Sequence, residues 1–540
     1  MKKVNGSKAT QYLVLISLGL IVLHACRTNP AYYFRSNYKE ANTLIHQTDS
    51  MEKRPFLKAH LKNGDVCIFR DSWQVDTLEN SVYGSGSRYD FNRKLAYKGN
   101  LRFPIDSVLI FETNEKLVGT EKKRIAALTV LTALNLTGGM ICLSNPKACF
   151  GSCPTFYVNK DDNFHFANAE GFSNAILPSM EYFDIDALGY APINGSSFSL
   201  TMKNEALETH CLRDIKLLAY PKNEDQRIYQ SRKNQFYLCE NNYAITKALA
   251  EEGDITRLIS VEDRVERFSL SDATNLSSKE ELFLEFENVE NLQDLGLIVN
   301  FRQTLMTTYF IYGAMGYMGD EVGDIFARME EDKETVSKLD KGIKKELGDI
   351  DVYVWNETSE DWIFQGGFYE TGPIAFNHQI LPLDQKAKGK NFRVKLVMNK
   401  GLWRMDYVAL TNIKEQVEPL ELRPNQILNK GIIDPLALKE LNHPDKLLIS
   451  MPGDEFQLDF QLPAESQDYE LFLYSKGYYL EWMREHWIKD KDLLKLRQMF
   501  KNPKKFLSEE AASFKQYEAN MESEFWNSKI DTETFSYYEN

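Results

Sequence analysis

Cys149-Phe150-Gly151-Ser152-Cys153 is the closest cysteine pair in the chain. Two thiols at that spacing could supply half a metal site or a redox couple; they could also close a small loop as a disulfide or pack as inert thiols. A structural zinc needs four ligands, and only His165 and His210-Cys211 lie within reach in sequence, so the disulfide or inert pair is the favoured reading. Gly171-Phe172-Ser173-Asn174-Ala175 approaches a nucleophile elbow after a predicted strand. The elbow must open a helix, and Pro178 stands five residues beyond the serine, so an ordinary turn is expected. Asp184 and Asp186 would share one face of a strand, and Asp320, Glu321 and Asp324 gather where a helix should begin, a place that favours acids through the helix dipole. Asp161-Asp162-Asn163 could bind calcium with carbonyl help, but a hairpin turn explains the same residues. The histidines beyond His24, at positions 46, 60, 165, 210, 378, 443 and 486, show no ligand spacing. No Gly-rich phosphate loop, H-E-x-x-H or EF-hand spacing occurs. Catalytic, cofactor-binding and metal-ligating residues are therefore left unassigned, and no cofactor is expected.

Chemistry of another kind is written at the start of the chain. Lys2, Lys3 and Lys8 precede an apolar run from Tyr12 to Leu23, which closes on Leu23-His24-Ala25-Cys26. A basic start, about a dozen apolar residues and a small residue before the cut describe an export signal. With cysteine next, the segment resembles the lipobox of bacterial lipoproteins. That resemblance implies a signal over 1–25, diacylation of Cys26 as the new N-terminus, and a palmitate-bearing protein held at the cell envelope, on the outer membrane, with the bilayer as a partner.

Length and charge bound the remainder. At 540 residues, 43% of them hydrophobic and 12% aromatic, the chain can bury several cores and suggests three or four domains. Its formal charge is −14, which becomes −17 once the three lysines of 1–25 are removed. Phosphate backbones and anionic surfaces repel such a chain, which argues against nucleic acid as a partner. The six cysteines besides Cys26, an even number in an exported chain, are compatible with disulfides.

These features need elements to hold them, and the pattern predicts mostly strands. Residues 26–55 read as a spacer. A small β-barrel or roll is expected over 56–118, where Ala59 to Phe69 reads as strand, Asn63-Gly64 turn and strand, and Ile105 to Glu112 alternates. Residues 119–147 carry an apolar run, Ile125 to Leu143, expected as a buried or membrane-resting helix. A β-rich module follows over 148–240, with a hairpin around Asn159 to Asp162, and then 241–348 with strands and two helices. The first helix, Thr304 to Met318, is apolar nearly all round, with Gly313, Gly316 and Gly319 three apart; the second, Asp320 to Leu347, is one-sided. Alternating segments from 349 to 475 predict a β-sandwich similar in rhythm to jelly-roll carbohydrate-binding modules, and 476–540 reads as a helical tail with Tyr479, Trp482, Met483 and Trp487 as an aromatic stripe. The fold class is thus mainly β with α.

The run from Ser152-Cys153-Pro154 through Tyr157, the acidic turn and the aromatic strand, then Asn204 to Thr209, resembles a group of exported bacterial proteins to which no activity attaches. The resemblance implies a β-rich exported module. The expected role is non-enzymatic binding or structure, with a glycan or an envelope protein as partner; an envelope hydrolase assembled from distant residues and a docking subunit of an envelope complex are the alternatives. Rings stack on the CH faces of sugars, so Trp355, Trp362 and Trp403 are the expected ligand platform.

Overall fold

Alternation at period two turns one side of each strand out of water, and those sides must then be covered by one another. In the computed structural model, residues 57–113 and 153–532 are described with short internal breaks, together with Ser36–Asn37. Cys26, Cys142, Cys149, the acidic turn 159–162 and the run from Ile125 to Leu143 lie outside the described residues.

Strands Leu57–Leu61, Val66–Asp76, Ser81–Tyr89, Leu95–Pro104 and Val108–Thr113 form one antiparallel sheet; the last strand returns beside the first, and Ser36–Asn37 adds to its edge. Its concave side has a core of its own in which Phe69, Phe103 and Phe111 meet at ring separations of 5.7 and 6.5 Å, with Trp73 buried beside them. His60 Nδ1 lies 3.1 Å from the Tyr478 hydroxyl, which ties this sheet to the rest of the protein.

Beyond residue 153 the strands share four sheets, and partners are often distant in sequence. Glu208–Lys222 pairs along its whole length with Asp468–Glu481, shifting register once between Leu212 and Asp214. Ser197–Lys203 lies beside Glu455–Gln461. Strands Arg227–Gln230, Phe236–Ala244, Trp403–Val417, Leu295–Gln303 and Asn377–Pro382 pair in a closed ring, the first and last of them in parallel. Closure leaves those five without an open edge. The alternating segments between 349 and 475 do pair antiparallel, but across all four sheets, each completed by strands from 155–303. Local rhythm records that a residue run is a strand and is silent about how far away its partner sits.

Helices α1 (Met306–Met318), α2 (Val322–Glu331), α3 (Leu493–Lys501) and α4 (Pro503–Asn527) pack on one another, α1 against α2 and α3, α3 against α4, and Tyr309 of α1 against Phe514 of α4. The nearly all-apolar α1 is buried on almost every side, as its lack of a polar face demands. It ends at Gly319, whose φ of +54° and close approach to Lys491 both exclude a side chain. Among the described residues no helix is long and apolar enough to cross a membrane. One expectation is corrected: Tyr479 belongs not to a tail helix but to the strand Asp468–Glu481, because that stretch completes the long pairing with Glu208–Lys222. Trp487 is buried, 1% exposed, against Tyr312 of α1. Phe514, Met521 and Phe525 of α4 turn into the main core, as their spacing anticipates.

Candidate functional site

Strands Lys279–Glu287, Asn391–Asn399, Ile350–Asn356 and Asp361–Phe368 lie side by side in one sheet. One phase of each of the first three strands is apolar and faces the core: Leu282, Leu284 and Phe286; Val394 and Leu396; Ile350, Val352 and Val354. The other phase should be polar, and it is interrupted by rings. Phe283 stands among Lys279, Glu281, Glu285 and Glu287, and Tyr353 and Trp355 alternate with the buried valines.

Register places Phe283 opposite Lys395, Lys395 opposite Tyr353, and Tyr353 opposite Phe364, one row across four strands; Trp355 and Trp362 face each other beside it. Trp355 and Trp362 meet edge to face at 5.3 Å, Tyr353 and Phe364 at 5.4 Å, and Phe283 lies 5.9 Å from Trp362. Phe364 is 57% exposed and Phe283 39%. Two cations are set among the rings. Arg393 lies 4.6 Å from the Trp355 centroid and donates to Glu357 at 2.8 Å; Lys395 lies 5.2 Å from Tyr353 and 5.5 Å from Trp362 and pairs with Glu281 at 3.1 Å. Cation–π attraction and these ion pairs hold long side chains in place. The result is a shallow aromatic surface with charged groups fixed at its border.

Of the expected platform, Trp355 and Trp362 therefore sit together on this face. Trp403 does not: it is 1% exposed and packed on Phe301 and Tyr369 in the core, because the phase of its strand points inward there. Phe283, Tyr353 and Phe364 were not anticipated. Their signal is legible in retrospect as aromatic residues on the polar phase of amphipathic strands.

A second assembly gathers several of the residues singled out for chemistry. Cys153, at φ +55°, places its thiol 3.7 Å from Glu170 Oε2 and 3.9 Å from Ser173 Oγ, and its amide donates to Glu208 Oε2. The Glu170 amide donates to Asp186, and Asp184 shares the buried side of the same strand. The Ile374 amide donates to Glu170 Oε2, while Glu170 Oε1 occupies the space a Cβ on Gly372 would need, so only glycine fits there. Desolvation pushes the carboxyls of Glu170, Asp184 and Asp186 well above the usual range, and repulsion among them and from Glu370 adds to it.

The groups of this assembly are largely engaged with one another. Among the described residues no group of three His, Cys, Asp or Glu side chains converges to hold a metal ion. Burial lowers the pKa of His210 to about 3, so it is neutral, and it is engaged with Glu208 at 3.2 Å. The cavity lined by Ser173, Asn174, Pro373 and Tyr479 amounts to about 10 Å³, room for about one water. The stretch 171–175 makes a tight turn with Phe172 at φ +38° and opens no helix at Ser173. Cys149 lies outside the described residues, so the pairing expected with Cys153 falls there too; Cys67 and Cys239 are buried thiols in separate sheets. Glu321, from the acidic cluster at the helix start, pairs with Lys491 at 2.6 Å.

No protein-family model matches the chain, and no curated protein matches it.

Proposed function

We propose that this is a lipid-anchored envelope protein whose folded body binds carbohydrate on the aromatic sheet face. The observation that carries the reading is the cluster of Phe283, Tyr353, Trp355, Trp362 and Phe364 on the solvent side of four paired strands. Cross-strand ring pairs steady the sheet, but rings left partly open to solvent on the phase that should be polar form an apolar patch of the kind that marks an interaction site. Rings offer flat apolar area to the CH faces of sugars, while Arg393, Lys395 and their carboxylate partners supply fixed donors and acceptors to hydroxyls. Anchoring rests on the sequence of residues 1–26, with Cys26 as the acylated residue; within the expected spacer 26–55, Ser36–Asn37 pairs at the edge of the first sheet.

Titration calorimetry with maltohexaose, cellohexaose and chitohexaose tests the binding half. At least one should bind, and Trp355→Ala and Trp362→Ala should each weaken it about tenfold, the effect of losing about 1.4 kcal/mol of stacking. Absence of binding to all three, or affinity unmoved by the double substitution, overturns it. Radiolabelled palmitate should enter the wild type and not Cys26→Ser; equal labelling refutes the anchor.

A further inference from the structure

Rings gathered on a sheet face can form a flat platform or a sculpted one, and the two suit chains of different shape. On this face the paired rings are not coplanar. Phe283 and Trp362 are inclined at 55°, Tyr353 and Phe364 at 60°, and Trp355 and Trp362 at 68°. Each ring of the face belongs to one of these pairs, so a planar surface laid on it can meet at most one ring of any pair flat.

The backbone enforces that relief. Phe283 and Phe364 stand three strands apart in one row. Adjacent strands rotate by about 20–25°, which turns one end of such a row by about 60–75° relative to the other. The pairing of Ile350–Asn356 with Asp361–Phe368 also shifts register between Val352 and Tyr353, so that Gln365 is the extra residue between Phe364 and Gly366. A bulge bends its strand and adds right-handed twist, and this one adjoins Phe364, the most exposed of the five rings. Lys395, 5.2 Å from Tyr353 and 5.5 Å from Trp362, links the two groups of rings. Register, bulge and cation together set the tilts before a ligand arrives, and a surface ordered in advance binds at lower entropic cost.

Sugars stack on rings through their CH faces. In a β-1,4-linked chain of equatorial pyranoses those faces lie parallel along a flat ribbon. An α-1,4 link leaves its ring through an axial bond, so each residue turns from the last and successive CH faces point in different directions. A ribbon can therefore stack on one member of a tilted pair, whereas a turning chain can stack on both. We infer that this face selects a curved, α-1,4-linked glucan over a flat, β-1,4-linked one, a preference that rests on the carbohydrate-binding function proposed above.

Calorimetric titration of the full-length protein with maltohexaose, cellohexaose and chitohexaose under one set of conditions is the test. Maltohexaose should bind at least about tenfold more tightly than either β-linked hexaose, the effect of one additional ring stack. Microcrystalline cellulose should not retain the protein on sedimentation. Phe283→Ala and Phe364→Ala, at the two ends of the row, should each weaken maltohexaose about threefold or more; should either variant not fold, the three hexaoses on the wild type decide. A smaller margin, the reverse order, or retention on cellulose overturns the preference and leaves sugar binding standing. Binding of none of the three overturns sugar binding itself and the preference with it. Maltohexaose affinity unmoved by both substitutions overturns the preference too, since the curved chain would then lie elsewhere.

Discussion

Glu170→Gln gives a sharp test of how the buried acids are held. Glu170 is 1% exposed, its Oε1 has no hydrogen-bond partner, and Asp184, Asp186 and Glu370 lie close enough to repel its charge. Its carboxyl is held well above the ordinary range, by burial first and by Asp184 and Glu370 after it, with the Ile374 amide and the Cys153 thiol opposing. A folded-state pKa above the unfolded one means that the native protein keeps a proton the unfolded chain has lost. Stability from this group is then complete below the unfolded pKa of about 4.3 and is lost as pH rises toward the folded value. The loss runs at up to about 1.4 kcal/mol for each pH unit in which only the native state holds the proton. Glutamine keeps the shape of the neutral acid and cannot lose a proton. Near pH 4 the variant and the wild type should therefore unfold at similar urea concentrations, and above it the variant should gain on the wild type by up to about 1.4 kcal/mol per pH unit. Asp186 and Asp184 interact with the Glu170 charge, so the difference reports Glu170 together with the repulsion it exerts on them. Parallel curves of stability against pH, or a variant that falls further behind as pH rises, would mean that Glu170 is charged in the native protein and that the account is wrong.

Two other outcomes follow from the interior. Arg302, 1% exposed, pairs with Glu266 at 2.5 Å and with Glu522 of α4 at 2.6 Å, and Arg404 reaches the same two acids at 3.3 and 2.9 Å, so Arg302→Met leaves the buried Glu266 and the partly buried Glu522 to share Arg404. It should cost about 3–5 kcal/mol and make α4 cleavable by limited proteolysis under native conditions; a change below about 1 kcal/mol with α4 still protected would show that the network is dispensable. Trp403→Ala should cost about 3–5 kcal/mol in urea unfolding, whereas Trp362→Ala on the sheet face should cost less than about 1.5 kcal/mol, and the reverse order would refute the assignment of these two residues to core and surface.

How much of this the sequence discloses depends on the range over which each signal acts. Strand identity is a local matter of alternation, so Ser197–Lys203 and the mainly β class were readable. Pairing is not local. Nothing within Asp468–Glu481 announces a partner some 260 residues earlier, and the same apolar periodicity that makes a strand there lent Tyr479 to a helical stripe. The inward fate of Trp403 and the outward one of Trp355 differ by strand phase alone, which a list of tryptophans does not register. For the acids the sequence went halfway: Asp184 and Asp186 share a face as their spacing requires, while Glu170 and Glu370 reach them only through tertiary folding.

The two places where this sequence departs from ordinary patterning have opposite physical signs, and that separates their roles. Carboxyls crowded into the interior near Cys153 cost desolvation and repulsion, and both effects raise their pKa values and favour the protonated form. Rings on the polar phase of the sheet cost solubility instead, and they remain within reach of a ligand. An expense that faces solvent can be recovered on binding, whereas one sealed inside can be recovered only by changing protonation. The surface departure is therefore the one that points to a partner, and the buried one points to a pH-dependent stability.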